Sequence, residues 1–372
     1  MIRALVIAAI ALSSARALAY PQYQLTRDVT CTGCHLSPAG GTLLNENGLV
    51  TAEQFSQWGT NPAFLNGLLP EPKWLELGGD LRWAAGWHRY YDQNGKTGAF
   101  VTFPMQADLY GAATKDAFSV HVMAGVRDPT YPETYGPSLF ASREHWLQWQ
   151  QHPGETDGLY VRVGRFMPVY GLRLVEHPTY TRQYGGTPLY GETYGAAVEQ
   201  ITADYEVHVT AFAHDPLQKT TEVGNGVAAY GELRLSSNMA VGAETKLDIT
   251  NDDRKLYSGV TGKLYLEPQK LLFMTELEFM HQKVDLGGTT NNFIGYAGAT
   301  YFLGAVMIDL GLDLYAPSIP IRYLDQEAAD LNIHWFVTSH VELLSTSRFQ
   351  ALEFGLGGQS SGYSLLQFHY RI

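Results

Sequence analysis

The sequence predicts an all-β chain: an outer-membrane antiparallel β-barrel of about 16 strands over residues 74–372, preceded by a small N-terminal segment, 20–73, built around a cysteine pair. Three observations predict it. The chain opens with a secretory signal. Charged residues are only 17% of the chain while it holds 23 Tyr and 38 Gly, a balance poor for a soluble globule, in which about 25% is charged. From Trp74 onward apolar and polar residues alternate with period two.

Residues 1–19 read as the signal. Arg3 gives a positive start, Leu5 to Leu12 is an apolar run, and Ala17-Leu18-Ala19 is a small-residue cleavage site. The run is too short to span a bilayer, so it is an address and not an anchor. The mature chain is expected to begin near Tyr20. Losing Arg3 and Arg16 and no acids moves the formal net charge from -12 to about -14. A surface this acidic repels phosphate backbones, which excludes nucleic acid as a partner.

The next element is Cys31-Thr32-Gly33-Cys34-His35, which contains the only two cysteines of the chain. Export places them in an oxidising compartment, where a free C-x-x-C becomes a disulfide unless something claims it. A redox or structural disulfide and a metal site completed from elsewhere are two readings. The adjacent histidine favours a third: two thioethers to the vinyl groups of one haem, with His35 as the proximal iron ligand. Ser37-Pro38-Ala39-Gly40-Gly41 follows as a turn that lets backbone approach a porphyrin closely. Thr51-Ala52-Glu53-Gln54 fits a capping box and predicts a helix start, running into Phe55 and Trp58 and stopping at Gly59. Phe55, Trp58, Phe64 and Leu65 are candidates to cover a haem face or to contact a barrel wall. Pro70 and Pro72 mark the exit. About fifty residues cannot build a self-sufficient core, so haem and barrel must complete this segment.

In the first candidate strand Leu75, Leu77, Leu81, Trp83, Ala85 and Trp87 share one face, and Glu76, Asp80, Arg82 and His88 the other. Such alternation also suits a soluble sandwich. The connections decide more. Strands near 74–90, 99–112, 117–127, 140–151, 158–166, 190–200, 204–214, 226–236, 239–248, 255–266, 270–284, 292–303, 305–315, 328–336, 339–349 and 362–372 have short links after even-numbered members and mostly longer ones after odd-numbered members. The longest link is 167–189, long enough to fold into the pore. Short turns on one rim and long loops on the other, with both ends periplasmic, is how bacterial outer-membrane barrels are built.

A signal, one C-x-x-C-H, the stretch from Cys31 to Gly48 with Pro38-Ala39-Gly40-Gly41 and Asn45-Glu46-Asn47-Gly48, and Gly164-Arg165-Phe166 before Gly171-Leu172-Arg173 together resemble the fused monohaem cytochrome–porins. That group includes the outer-membrane iron oxidases of iron-oxidising bacteria. The resemblance implies electron transfer across the outer membrane between an extracellular donor or acceptor and a periplasmic carrier, a c-type cytochrome or copper protein. With Fe(II) as donor the activity would be that of an Fe(II):cytochrome c oxidoreductase, although no residue pattern marks Fe(II).

The sixth iron ligand is open, because between Tyr20 and His88 there is neither a methionine nor another histidine besides His35. Strand parity turns His121, Met123 and His88 toward the lumen, and the long loop supplies Met167 and His177. These five are the distal candidates. Arg162, Arg165, Arg173 and Arg182 either face haem propionates or form the charged lining of a porin constriction, and the second reading is preferred. No Ser/His/Asp order, phosphate loop or paired-carboxylate signature stands out. The rival functions are a diffusion porin with a haem-bearing plug and a haem enzyme acting on a small ligand such as peroxide.

Overall fold

The computed structural model describes residues 20–41, 43–69, 72–92, 95–126, 140–176, 178–188, 191–216, 223–285, 287–321, 324–352 and 359–372. The signal at 1–19, the exit proline Pro70 and the distal candidate His177 lie outside them.

One antiparallel sheet closes on itself. β1 (Leu75–Asp92) pairs with β2 (Gly95–Lys115) on one side and with β17 (Ser360–Arg371) on the other, with Trp83 opposite Phe368. Between them run β3 (Phe118–Val126), β4 (Phe140–Ala141), β5 (His145–Gln150), β6 (Gly158–Phe166), β7 (Thr193–Ile201), β8 (Tyr205–Ala213) and β9 (Asn225–Ser236). They are followed by β10 (Met239–Ile249), β11 (Asp253–Leu266), β12 (Leu271–Val284), β13 (Gly288–Leu303), β14 (Val306–Ala316), β15 (Gln326–Thr338) and β16 (Val341–Leu352). β4 and β5 both pair with β3 and make one interrupted stave, so the wall is a closed 16-strand barrel. Closure leaves no unpaired edge, which a strand in lipid requires.

Alternation explains the wall. In β8, Glu206, His208 and Thr210 are buried in the lumen while Val207 and Val209 point outward. The same parity exposes Val120, Val122, Leu310 and Leu312, forming an apolar outer band. Phe118, Tyr205 and Tyr301 stand exposed near one rim, as in an aromatic girdle. The links on that rim are short, at 116–117, 202–204, 237–238, 267–270, 304–305 and 339–340. The longest links, 127–144 and 167–192, lie on the other. The first hairpin departs from expectation: pairing continues to Asp92 opposite Gly95, so this link is short too.

Two elements fill the lumen. The N-terminal segment holds helix α1 (Gln22–Thr26), a 3-10 turn at Cys31–Gly33 and helix α2 (Glu46–Phe55). Asn45 caps α2 by accepting from the Gly48 amide at 2.9 Å, so the helix ends near where the capping-box reading started it. The segment docks at the short-turn mouth. The Gln57 and Trp58 amides donate to the Phe336 and Val337 carbonyls at 2.8 and 3.0 Å. Thr32 Oγ1 donates to the Thr156 carbonyl at 2.7 Å, and Arg234 reaches the Val29 carbonyl. The second element is the loop between β6 and β7, which folds inward with helix α3 (Tyr180–Gln183). Its Leu172 and Leu174 join Leu25 of the segment and Leu272, Met274 and Tyr296 of the wall in one apolar cluster. Loop, plug and wall share a core.

Candidate haem site

The cysteine turn is held by the asparagines that follow it. Asn45 Nδ2 donates to the Thr32 carbonyl and Asn47 Nδ2 to the Gly33 carbonyl, both at 2.8 Å. The Asn45 amide donates to the Cys34 carbonyl at 3.0 Å. Gly48 lets α2 lie against this turn, because a Cβ there would come 2.1 Å from the Cys34 oxygen. The tight 3-10 turn places both thiols, unlinked, on the lining of one cleft.

That cleft has a volume of about 1010 Å³, part of it open to solvent. Cys31, Cys34 and His35 line it together with Leu44, Phe55, Phe336 and Val341. Cys31 Sγ accepts from Gln24 Nε2 at 3.2 Å, and burial pushes its thiol up to about 11. Burial likewise raises Cys34. His35 is buried, and desolvation lowers its imidazole to about 4. It is therefore neutral at physiological pH, the form that ligates metal. Its Nδ1 is buried without a hydrogen-bond partner among the described residues. Arg27, Arg173 and Arg371 also line the cleft, as does the carboxylate of Glu342. An apolar slot with two thiols, a neutral imidazole and three guanidinium groups fits a covalently attached haem and its two carboxylates.

The distal candidates fall elsewhere. His121 is buried in the lumen and stacks on Trp146, with ring centroids 4.7 Å apart. Met123 packs with Leu43, Tyr110 and Ala112. His88 and Met167 line a second, larger cavity toward the long-loop side. None of the four lines the cysteine cleft, because the segment docks at the mouth and not at mid-barrel. The histidines that do line it besides His35 are His340 and His369. His369 Nδ1 lies 2.5 Å from Glu342 Oε2, and Tyr20 donates to Glu342 Oε1 at 2.8 Å. The parity of β17 alone could have found His369. Among the suggested covering residues Phe55 is in the cleft, stacked on Tyr23 at 4.4 Å, whereas Trp58 sits against Trp335 of the wall.

The arginines divide. Arg162 bonds Glu199 at 3.0 Å and Arg165 bonds Asp215 at 2.9 Å, as structural wall pairs. Arg173 pairs with Glu206 and lines both spaces. The larger cavity, about 3350 Å³ with part of it open solvent, shares Tyr20, Ala39 and Arg173 with the lining of the cleft. Its wall carries Arg82, Arg143 and Arg182 together with Asp108, Glu176 and Glu192, and Arg143 pairs with Asp108 at 2.6 Å. Burial pushes Glu176 up to about 7 despite the opposing pull of His334.

No protein-family model matches the chain, and no curated protein does. Solved structures do. The anion-selective porin from Comamonas acidovorans superposes with a TM-score of 0.58 at 10% identity, over 80% of this chain and 99% of its own. In-vitro folded OmpT of Vibrio cholerae gives 0.58 at 12% identity over 82% and 100%. The outer membrane channel DcaP of Acinetobacter baumannii gives 0.55 at 12% over 80% and 97%. With this shared architecture and an apolar outer band, the chain is a porin-like β-barrel of the bacterial outer membrane.

Proposed function

We propose that residues 20–73 carry one haem c, attached through Cys31 and Cys34 and ligated by His35, and that the barrel passes electrons between an extracellular partner and a periplasmic cytochrome or copper protein. This is the work of the fused monohaem cytochrome–porins that the sequence resembles. The observation that carries the proposal is the convergence of both thiols and a buried neutral imidazole on one apolar cleft at the short-turn mouth. Bound there, haem would supply a one-electron carrier whose potential depends on burial and ligation. The chain's own residues do the rest. Phe55, Phe336 and Val341 exclude water, and Arg27 and Arg371 bring guanidinium groups that can pair with carboxylates. The short-turn rim faces the periplasm in this architecture, so a carrier can dock beside the cleft. The acidic chain suits a basic carrier.

The test is purification from outer membrane, a haem stain on the denatured chain, and stopped-flow mixing with Fe(II) and with reduced periplasmic carriers. A stain abolished by Cys31→Ala and Cys34→Ala, with rapid changes in the haem spectrum, is expected. An unstained wild type, or a spectrum unmoved by every donor and carrier, ends the proposal. The 3350 Å³ cavity favours a second reading, a solute channel with a haem-bearing plug. Liposome flux without any electron transfer would select it.

A further inference from the structure

Beneath the inward loop, three carboxylates converge. Glu244 of β10 and Glu276 and Glu278 of β12 are buried, and each offers an oxygen within 4.8 Å of the others. Part of the set is satisfied by the loop. Glu276 Oε2 accepts from the Leu172 amide at 2.9 Å, and Glu278 Oε2 accepts from Tyr170 at 3.1 Å and the Gly186 amide at 3.2 Å. The remaining oxygens are not. Glu244 is 5% exposed, and neither of its oxygens has a hydrogen-bond partner among the described residues. Glu278 Oε1 has none either. The nearby ammonium groups are committed: Lys246 to Asp248 at 3.5 Å and the Gly186 carbonyl at 2.8 Å, and Lys263 to Glu232 at 2.6 Å. Arg182 acts on Glu276 only through space.

The backbone is shaped around these carboxylates. Three glycines each leave room for one carboxylate oxygen of a different glutamate. A Cβ at Gly259 would stand 2.3 Å from Glu244 Oε1, one at Gly171 2.3 Å from Glu276 Oε1, and one at Gly185 2.3 Å from Glu278 Oε1. Two of these glycines belong to the loop and one to the wall. Buried like charges this close either share protons or hold a cation. An oxygen-only set without imidazole or thiolate selects a hard ion over zinc or copper. Three carboxylates in a crowded pocket suit calcium better than magnesium, which keeps its waters.

We infer that Glu244, Glu276 and Glu278 form a calcium-class divalent cation site that pins the inward loop to the barrel wall. The site is independent of haem. It acts at the seam where Leu172, Tyr170 and Gly186 meet β12, so a bound cation would neutralise the wall carboxylates that face the loop.

The experiment uses the full chain purified from outer membrane in detergent, stripped with EDTA and returned to Ca²⁺ in equilibrium dialysis. The wild type should take up about one Ca²⁺ per chain, with Mg²⁺ a weaker competitor. The Glu244→Gln/Glu278→Gln pair should lower affinity by about tenfold or more, and Glu155→Gln on the surface should not. Amide hydrogen exchange over 167–188 should slow with Ca²⁺ in the wild type alone. Heat-modifiable migration checks that the variant barrel folds. If it does not, the wild-type stoichiometry decides by itself. Uptake far below one ion per chain, or uptake that a folded double variant retains, overturns the inference and leaves the three carboxylates sharing protons.

Discussion

His35 shows what burial does to a single group. Its imidazole is held near 4 by desolvation, below the ordinary value of about 6.5. Protons therefore bind the released segment more readily than the docked one. The sign follows: docking is fully supported above pH 6.5 and weakens as pH falls toward 4. The limit is about 3 kcal/mol for a shift of this size. In a chain that cannot attach haem, Cys31→Ala/Cys34→Ala, amide hydrogen exchange over 20–69 should accelerate progressively below pH 6, after correction for intrinsic rates. Adding His35→Gln should flatten that dependence. Protection that is equal at pH 4.5 and 6.5 in the histidine-bearing chain would refute the account. Cys31 is governed by the same burial, which keeps it a thiol and lowers its reactivity in disulfide exchange.

The loop between β6 and β7 sets the charge of the lumen at the level of an element. Glu176 on this loop lies 3.9 Å from His334 Nε2 and lines the large cavity. Its carboxyl, raised to about 7, is mostly neutral at pH 6 and mostly ionised at pH 8. One negative charge thus enters the vestibule across that interval. In planar bilayers the reversal potential should move toward cation preference from pH 6 to 8, and Glu176→Gln should remove the shift. An unchanged potential in the wild type would show that Glu176 does not face the conducting path. The barrel was legible because a lipid-facing strand must alternate, as Val207 and Val209 do against Glu206 and His208, and because the turn lengths separate the rims. The Asn94-Gly95 dipeptide was a hairpin signal that the first link did not receive. Helix α2 was misplaced because Thr51-Ala52-Glu53-Gln54 imitates a start, while Asn45 makes the cap. Cys31, Cys34 and His35 were legible as a spacing. The rest of the cleft was not: β17 parity turns His369 inward, but that it and His340 meet the cysteine turn depends on barrel closure and docking depth. The carboxylate triad escaped for the same reason: only the register of β10, β11 and β12 brings Glu244 to Glu276 and Glu278.

At the scale of the whole molecule, the cysteine cleft sits at the short-turn mouth, so under the proposed function the two redox partners would meet unequal obstacles. A periplasmic protein needs only a surface, whereas an external donor must cross most of a hydrocarbon layer about 30 Å thick. The route such a donor would take is the large cavity, which shares Tyr20, Ala39 and Arg173 with the lining of the cleft. Residues of the loop, such as Met167 and Glu176, and of the N-terminal segment, such as Ala39 and Gly41, line that cavity from two sides. If haem carries electrons here, reduction from outside is limited by entry into the vestibule and not by driving force. In proteoliposomes with the long loops outward, hydrated Fe(II) and small Fe(II) chelates should reduce the haem quickly. The same iron tethered to a polymer too wide for the barrel should react at least about tenfold slower despite a matched potential. A reduced periplasmic carrier added to the opposite side should show no such dependence on size. Equal rates for free and tethered iron would mean that electrons enter from the outer surface by another path, and the vestibule would then have no part in the transfer.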